Sequence, residues 1–147
     1  MKKALVICML VAALAGCSSK PAAKTAKYES AKDEKGSYNI VDITITDDKI
    51  TALSIDTYYA PKSAFKKALK DDYGMKAASA IKKEWYEQME AFEKWAIGKS
   101  VDEVKNMKVK TKEDGGVVAD EPDLVASCTM KVDGYIKDVV AAAEQAK

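Results

Sequence analysis

Hydrophobic spacing changes once along this chain, and that change bounds the fold. Val41, Ile43 and Ile45 alternate with Asp42, Thr44 and Thr46, the period of two that a strand with one wet face produces. Asp47-Asp48-Lys49 supplies a turn, and Ile50 through Thr57 then sets Leu53 and Ile55 against Ser54 and Asp56. Two such runs joined by a short polar turn predict an antiparallel hairpin. Beyond Pro61 the period lengthens. Ile81, Trp85, Met89, Phe92 and Ala96 fall on one stripe, while Lys82, Lys83, Glu87, Glu90 and Glu93 lie mostly off it, which predicts an amphipathic helix ended by Gly98. Ser100-Val101-Asp102-Glu103 has capping-box spacing and opens a shorter helix toward Lys105. The charged stretch from Lys110 to Pro122, with Gly115-Gly116, reads as a surface loop. Val132, Ile136, Val139, Val140 and Ala143 share one face of a C-terminal helix. The expected fold is α+β, a small antiparallel sheet built on the N-terminal hairpin and packed with two or three helices.

The first residues follow another logic. Lys2 and Lys3 precede an apolar run from Ala4 to Ala13, and Leu14-Ala15-Gly16-Cys17 follows. A positive start, a short apolar core and small residues before a cysteine are the order of a secretory signal. The run is too short to span about 30 Å of hydrocarbon. Leu-Ala-Gly-Cys matches the lipobox of bacterial lipoproteins, which places the lipid on Cys17 and the protein on the extracytoplasmic face of a cell membrane. The expected organisation is a signal peptide over 1–16, a lipidated flexible tether over 17–35 and one domain over 36–147. The tether reading rests on Lys, Ala, Ser, Glu and Pro21 with hardly any large apolar side chain, too little to offset the entropy of ordering.

Composition narrows the chemistry. The chain has 24 Lys+Arg against 23 Asp+Glu and no His. Loss of Lys2 and Lys3 takes the formal charge from +1 to −1. Scattered lysines interleaved with acids do not form the basic face a nucleic acid requires. Without histidine there is no imidazole base, ligand or Ser-His-Asp triad, and no carboxylate pair suggests catalysis, so the chain reads as a carrier or binding protein rather than an enzyme. Cys8 leaves with the signal peptide and Cys17 carries lipid. Only Cys128 remains in the domain, so stability rests on a packed core without an intrachain disulfide. Asp71-Asp72 and Asp120-Glu121 with Asp123 read as solvated acids rather than a metal site.

The residues best suited to chemistry lie in Asp123-Leu124-Val125-Ala126-Ser127-Cys128-Thr129, ahead of the last helix. Thr129 is expected at a helix start, where unpaired N–H groups and the dipole favour an anion. Ser127 or Thr129 could equally serve only as that helix's N-cap. Cys128 reads as a small buried residue.

Gly36-Ser37-Tyr38, the strands around Asp48-Lys49-Ile50, Asp72-Tyr73-Gly74-Met75-Lys76, Lys83-Glu84-Trp85-Tyr86-Glu87-Gln88 and Gly98-Lys99-Ser100-Val101-Asp102-Glu103-Val104 give the chain a resemblance. From about Lys35 onward it resembles the FMN-binding domain family of exported electron-transfer proteins and lipoproteins. In many members a flavin transferase takes FMN from FAD and esterifies the threonine of Asp-x-x-Ser-Gly-Ala-Thr. Asp123 and Thr129 match the two ends of that motif, whereas Ala126, Ser127 and Cys128 replace its Ser, Gly and Ala. Where many members carry a His-x-Glu-Thr-like sequence this chain has Asp56-Thr57-Tyr58-Tyr59. The resemblance implies FMN as cofactor, a site at Asp123, Ser127, Cys128 and Thr129, a flavin transferase as partner, and electron transfer with partners the sequence does not identify. For the flavin ring, Tyr73, Met75 and Tyr86 are the candidate surfaces, since Trp85 lies on the apolar stripe and reads as core. The changed middle of the motif favours a second reading, a lipid-anchored module that binds a small ligand or a protein without redox chemistry.

Overall fold

A computed structural model describes residues 21–147. The expected signal peptide, Cys17 and the first residues of the expected tether lie outside the described residues. The domain is α+β, with a four-stranded antiparallel sheet, a separate two-stranded ribbon and several helices.

The predicted hairpin is present as β2 (Tyr38–Thr46) and β3 (Lys49–Tyr59). Asp47 and Asp48 join them with φ of 51° and 58°. A two-residue turn with both φ positive matches the twist of the strands, and aspartate tolerates that conformation better than most side chains. The register shifts between Thr44/Ile45, so that Thr44 pairs with Ala52 and Ile45 with Ile50. The extra residue, Thr51, forms a bulge. A one-residue slip exchanges the faces of a strand, and here it puts Ile50 on the same inner face as Leu53 and Ile55, all buried.

The sheet begins earlier than the sequence suggested. β1 (Lys24–Glu29) pairs antiparallel with β2, Tyr28 opposite Val41, so part of the expected 17–35 tether is an edge strand. Only Ala26 and Tyr28 pack against the core there. The β2 edge supplies the backbone partners, which composition cannot show. On the other side β4 (Ala64–Phe65) pairs with Tyr58 and Tyr59, giving the order β1-β2-β3-β4.

After β4 come a one-turn helix α1 (Lys66–Leu69), a 3-10 turn over Lys70–Tyr73, and then α2 (Trp85–Ala96). The stripe prediction holds for Trp85, Met89, Phe92 and Ala96, whereas Ile81 precedes the helix. Glu87 accepts the Glu84 N–H at 2.8 Å at the start of α2, and the buried Glu84 carboxylate accepts the N–H groups of Met75 and Lys76 at 2.8 and 3.0 Å. Glu93 is buried as well. It accepts from Lys67 Nζ and from the Ile55 N–H, each at 2.6 Å, tying α2 to α1 and β3. Burial raises its carboxyl above the usual range, and the Lys67 and Ile55 bonds oppose that rise.

The capping box at Ser100 and Glu103 starts α3 (Val101–Lys105) as expected. Lys110 to Pro122 is not simply a loop. β5 (Val109–Thr111) and β6 (Val117–Ala119) form an antiparallel ribbon there, Thr111 opposite Val117. The last helix, α4 (Asp133–Gln145), buries Asp138, Val139 and Ala142, with Ile136, Val140 and Ala143 only partly covered. Its core-facing side is therefore rotated from the predicted stripe. α4 lies against β1 and β2, α2 against β3, and α3 against α4, so the helices cover one face of the sheet.

Candidate functional site

Leu124 and Cys128, both buried, pin the turns over Pro122–Ser127 to the core. The chain then passes through Thr129 and Met130, and Lys131 makes a single bridge to Val118 of β6. Thr129 consequently lies ahead of α4, whose N-cap is Val132. Neither Ser127 nor Thr129 caps that helix, and the expected helix-start setting for Thr129 is not formed. The backbone N–H of Thr129 donates to Gln88 Oε1 at 2.9 Å, and that of Met130 does so at 3.1 Å. With both amides committed, the backbone here has no free donor for an anion.

The side chains do. An open hollow of about 350 Å³ is lined by Thr129, Met75, Trp85 and Tyr135 together with Lys66, Lys112, Lys131 and Asp114. Three lysines and one aspartate thus share the lining. Lys112 Nζ donates to the Thr129 carbonyl at 3.3 Å, which sets one charge beside the threonine. Lys131 reaches its place across Gly116, where a Cβ would come within 2.7 Å of Lys131 Cε. Lys66 Nζ sits 4.6 Å from the Tyr73 ring centroid, 5.1 Å from that of Trp85 and 5.8 Å from that of Tyr59. Such ring faces attract an ammonium. Burial lowers the Lys66 pKa to about 8, against the charges of Asp56 and Asp33. The same cause raises the Tyr73 phenol, with smaller contributions from Tyr135 and Tyr59.

A directional chain of hydrogen bonds holds the aromatic wall. Trp85 Nε1–H donates to the Tyr135 hydroxyl at 3.1 Å, and that hydroxyl lies 3.4 Å from Thr57 Oγ1. Thr57 donates to Asn39 Oδ1 at 2.7 Å, and Asn39 Nδ2 donates to Asp138 at 2.7 Å. Because Thr57 spends its proton on Asn39, Tyr135 is the donor to Thr57. Burial raises Asp138 above the usual carboxylate range, and the Asn39 bond opposes the rise.

Of the residues the sequence singled out, Thr129 and Met75 meet in this hollow, and Tyr73 joins it through the Lys66 ammonium. Asp123 and Ser127 instead line another depression, with Ala91, Lys94, Trp95 and Lys99. Cys128 is fully buried and its thiol is pushed up to about 11 by burial, a core thiol rather than a ligand contact. Tyr86 is half-buried on α2 and does not line the hollow. Trp85, read as core, is both core and wall. Sequence reasoning missed Gln88, Lys66, Lys112, Lys131 and Tyr135. Gln88 alone had a signal, a polar residue inside an apolar stripe.

No family model matches this chain, and no curated protein or solved structure does so either.

Proposed function

We propose that this chain is an extracytoplasmic lipoprotein, anchored through Cys17, that holds FMN in the Thr129 hollow and serves as a flavin electron carrier on an FMN-binding-domain-like fold. The observation that carries this reading is the convergence of one threonine hydroxyl, three lysines and an aromatic wall in one open hollow. Lys66, Lys112 and Lys131 would neutralise the phosphate, and the partly exposed Tyr135 and Met75, backed by the buried Trp85, would shield part of the ring. FMN, when bound, supplies the redox chemistry, and the protein supplies position and electrostatics.

Covalent loading requires Thr129 Oγ1 to bond to the FMN phosphorus of FAD. The pyrophosphate bond breaks, AMP leaves, and the hydroxyl proton passes to solvent. Thr129 Oγ1 lies 3.4 Å from Gln88 Oε1, an acceptor that orients the hydroxyl. The same lining supports non-covalent retention of a flat anion, since the lysines and rings do not depend on the ester.

The test is co-expression of the full chain with a flavin transferase, with FAD and Mg²⁺ present, followed by intact-mass measurement. The expected result is a gain of one FMN moiety, abolished by Thr129→Ala and retained in Ser127→Ala. No gain under conditions that modify an authentic family member excludes covalent loading. Binding of free FMN would then decide between a non-covalent carrier and a module without flavin. Loss of modification in Ser127→Ala alone would move the acceptor to Ser127.

A further inference from the structure

β6 divides two surfaces. Val118 lines the Thr129 hollow, and the preceding Val117 points to the opposite face, as alternate residues of a strand must. On that face a groove of about 430 Å³ runs between the β5–β6 ribbon and α4. Its apolar lining is Met107, Val109, Val117, Ile136, Val140 and Ala141. Val109 is one of only two large hydrophobic side chains that stand exposed among the described residues. The rim charges Lys105, Lys137, Asp133 and Glu144 cancel, so the groove favours an uncharged occupant over an anionic surface.

The groove does not end there. A second hollow, of about 560 Å³, shares Lys105, Val140 and Glu144 with it and continues along α4 to Ala146. Lys24, the first residue of β1, lines that far end. The chain ahead of the sheet therefore enters the domain beside this surface. Cys17 precedes Lys24 by seven residues, a length that spans at most about 24 Å when extended. The 13 residues of α4 cover about 20 Å. A group attached to Cys17 can reach any point of the groove.

We infer that this groove holds one acyl chain of the lipid on Cys17. The inference rests on the lipoprotein reading above and adds a binding site to it. A single acyl chain gives only marginal membrane binding, and stable anchoring takes two. Where Cys17 carries two chains, withdrawal of one into the groove leaves the marginal single-chain anchor, so the occupied groove marks a form that detaches from the bilayer more readily than the form with both chains inserted.

The experiment compares the lipidated full chain in bilayer nanodiscs with the Cys17→Ser chain, reading backbone hydrogen exchange over residues 136–141. Sodium palmitate added to the Cys17→Ser chain should slow exchange there at least about threefold. The lipidated chain should already show that slowing and gain none from added palmitate. Val140→Glu should remove the effect in both while leaving exchange at Thr129 and Met130 unchanged. Equal exchange in lipidated and Cys17→Ser chains overturns the proposal, as does palmitate protection located elsewhere. Concentration-dependent protection without palmitate would name a second copy as the occupant and also overturn it. A Cys17 that mass spectrometry finds without lipid overturns the lipoprotein reading itself, whereas lipid on Cys17 without protection overturns only the occupant.

Discussion

Gln88 Oε1 accepts the backbone N–H of Thr129 at 2.9 Å from a side chain that is 1% exposed. The same oxygen takes the Met130 N–H, and the Gln88 amide donates to Ser79 Oγ and the Lys83 carbonyl, each at 3.1 Å. One residue of α2 therefore fixes the segment that presents the Thr129 hydroxyl. A glutamine at this place in an apolar stripe is stable only because each of its polar atoms is bonded.

Gln88→Leu should leave the Thr129 and Met130 N–H groups without an acceptor. An unsatisfied buried donor costs about 1–3 kcal/mol, so the loss of stability from the two should be about 2–6 kcal/mol in urea unfolding. Hydrogen exchange at those two amides should quicken more than elsewhere in the domain. A stability change below about 1 kcal/mol would mean that water replaces the glutamine.

Trp85 is 1% exposed and anchors the aromatic wall through its bond to Tyr135. Trp85→Ala should cost about 3–5 kcal/mol, the range for removing a large aromatic side chain from a core. Trp85→Phe keeps most of the packing but loses the donor to Tyr135, so it should cost much less than the alanine change. Equal losses in the two variants would show that the hydrogen bond, not the packed volume, carries the stability.

Lys66 should make stability depend on alkaline pH. Its pKa is about 8 in the fold against 10.5 for an ordinary lysine. Between those values the unfolded chain holds one more proton than the folded chain, so stability rises as pH increases across that window. Below pH 8 both states are protonated and the full cost of burying the charge remains. Lys66→Met keeps the stem against Tyr73 and Trp85 without that charge. It should be more stable than the parent at pH 7 and show a flatter profile from pH 8 to 10.5. Matching profiles for the two proteins would show that Lys66 is not desolvated.

The two sequence periods determined the hairpin and α2, because Val41, Ile43, Ile55 and the row of Trp85, Met89 and Phe92 have no other way to leave water together. The capping box at Ser100 was equally local, since its bonds close within four residues. β1 escaped because its stabilisation comes from the backbone of β2, and an edge strand with only Ala26 and Tyr28 against the core carries little hydrophobic signal. The ribbon of β5 and β6 was hidden for the same reason. In the site, Thr129 and Met75 were legible as residues but their neighbours were not. Lys66, Lys112 and Lys131 come from three separate stretches of a lysine-rich chain, and nothing local sets them apart from the other lysines. Local spacing decided which residues form strands and helices. Only the packing of α2 against the segment before α4 decided that Gln88 holds Thr129, because a hydrogen bond between residues 41 positions apart leaves no period in the sequence.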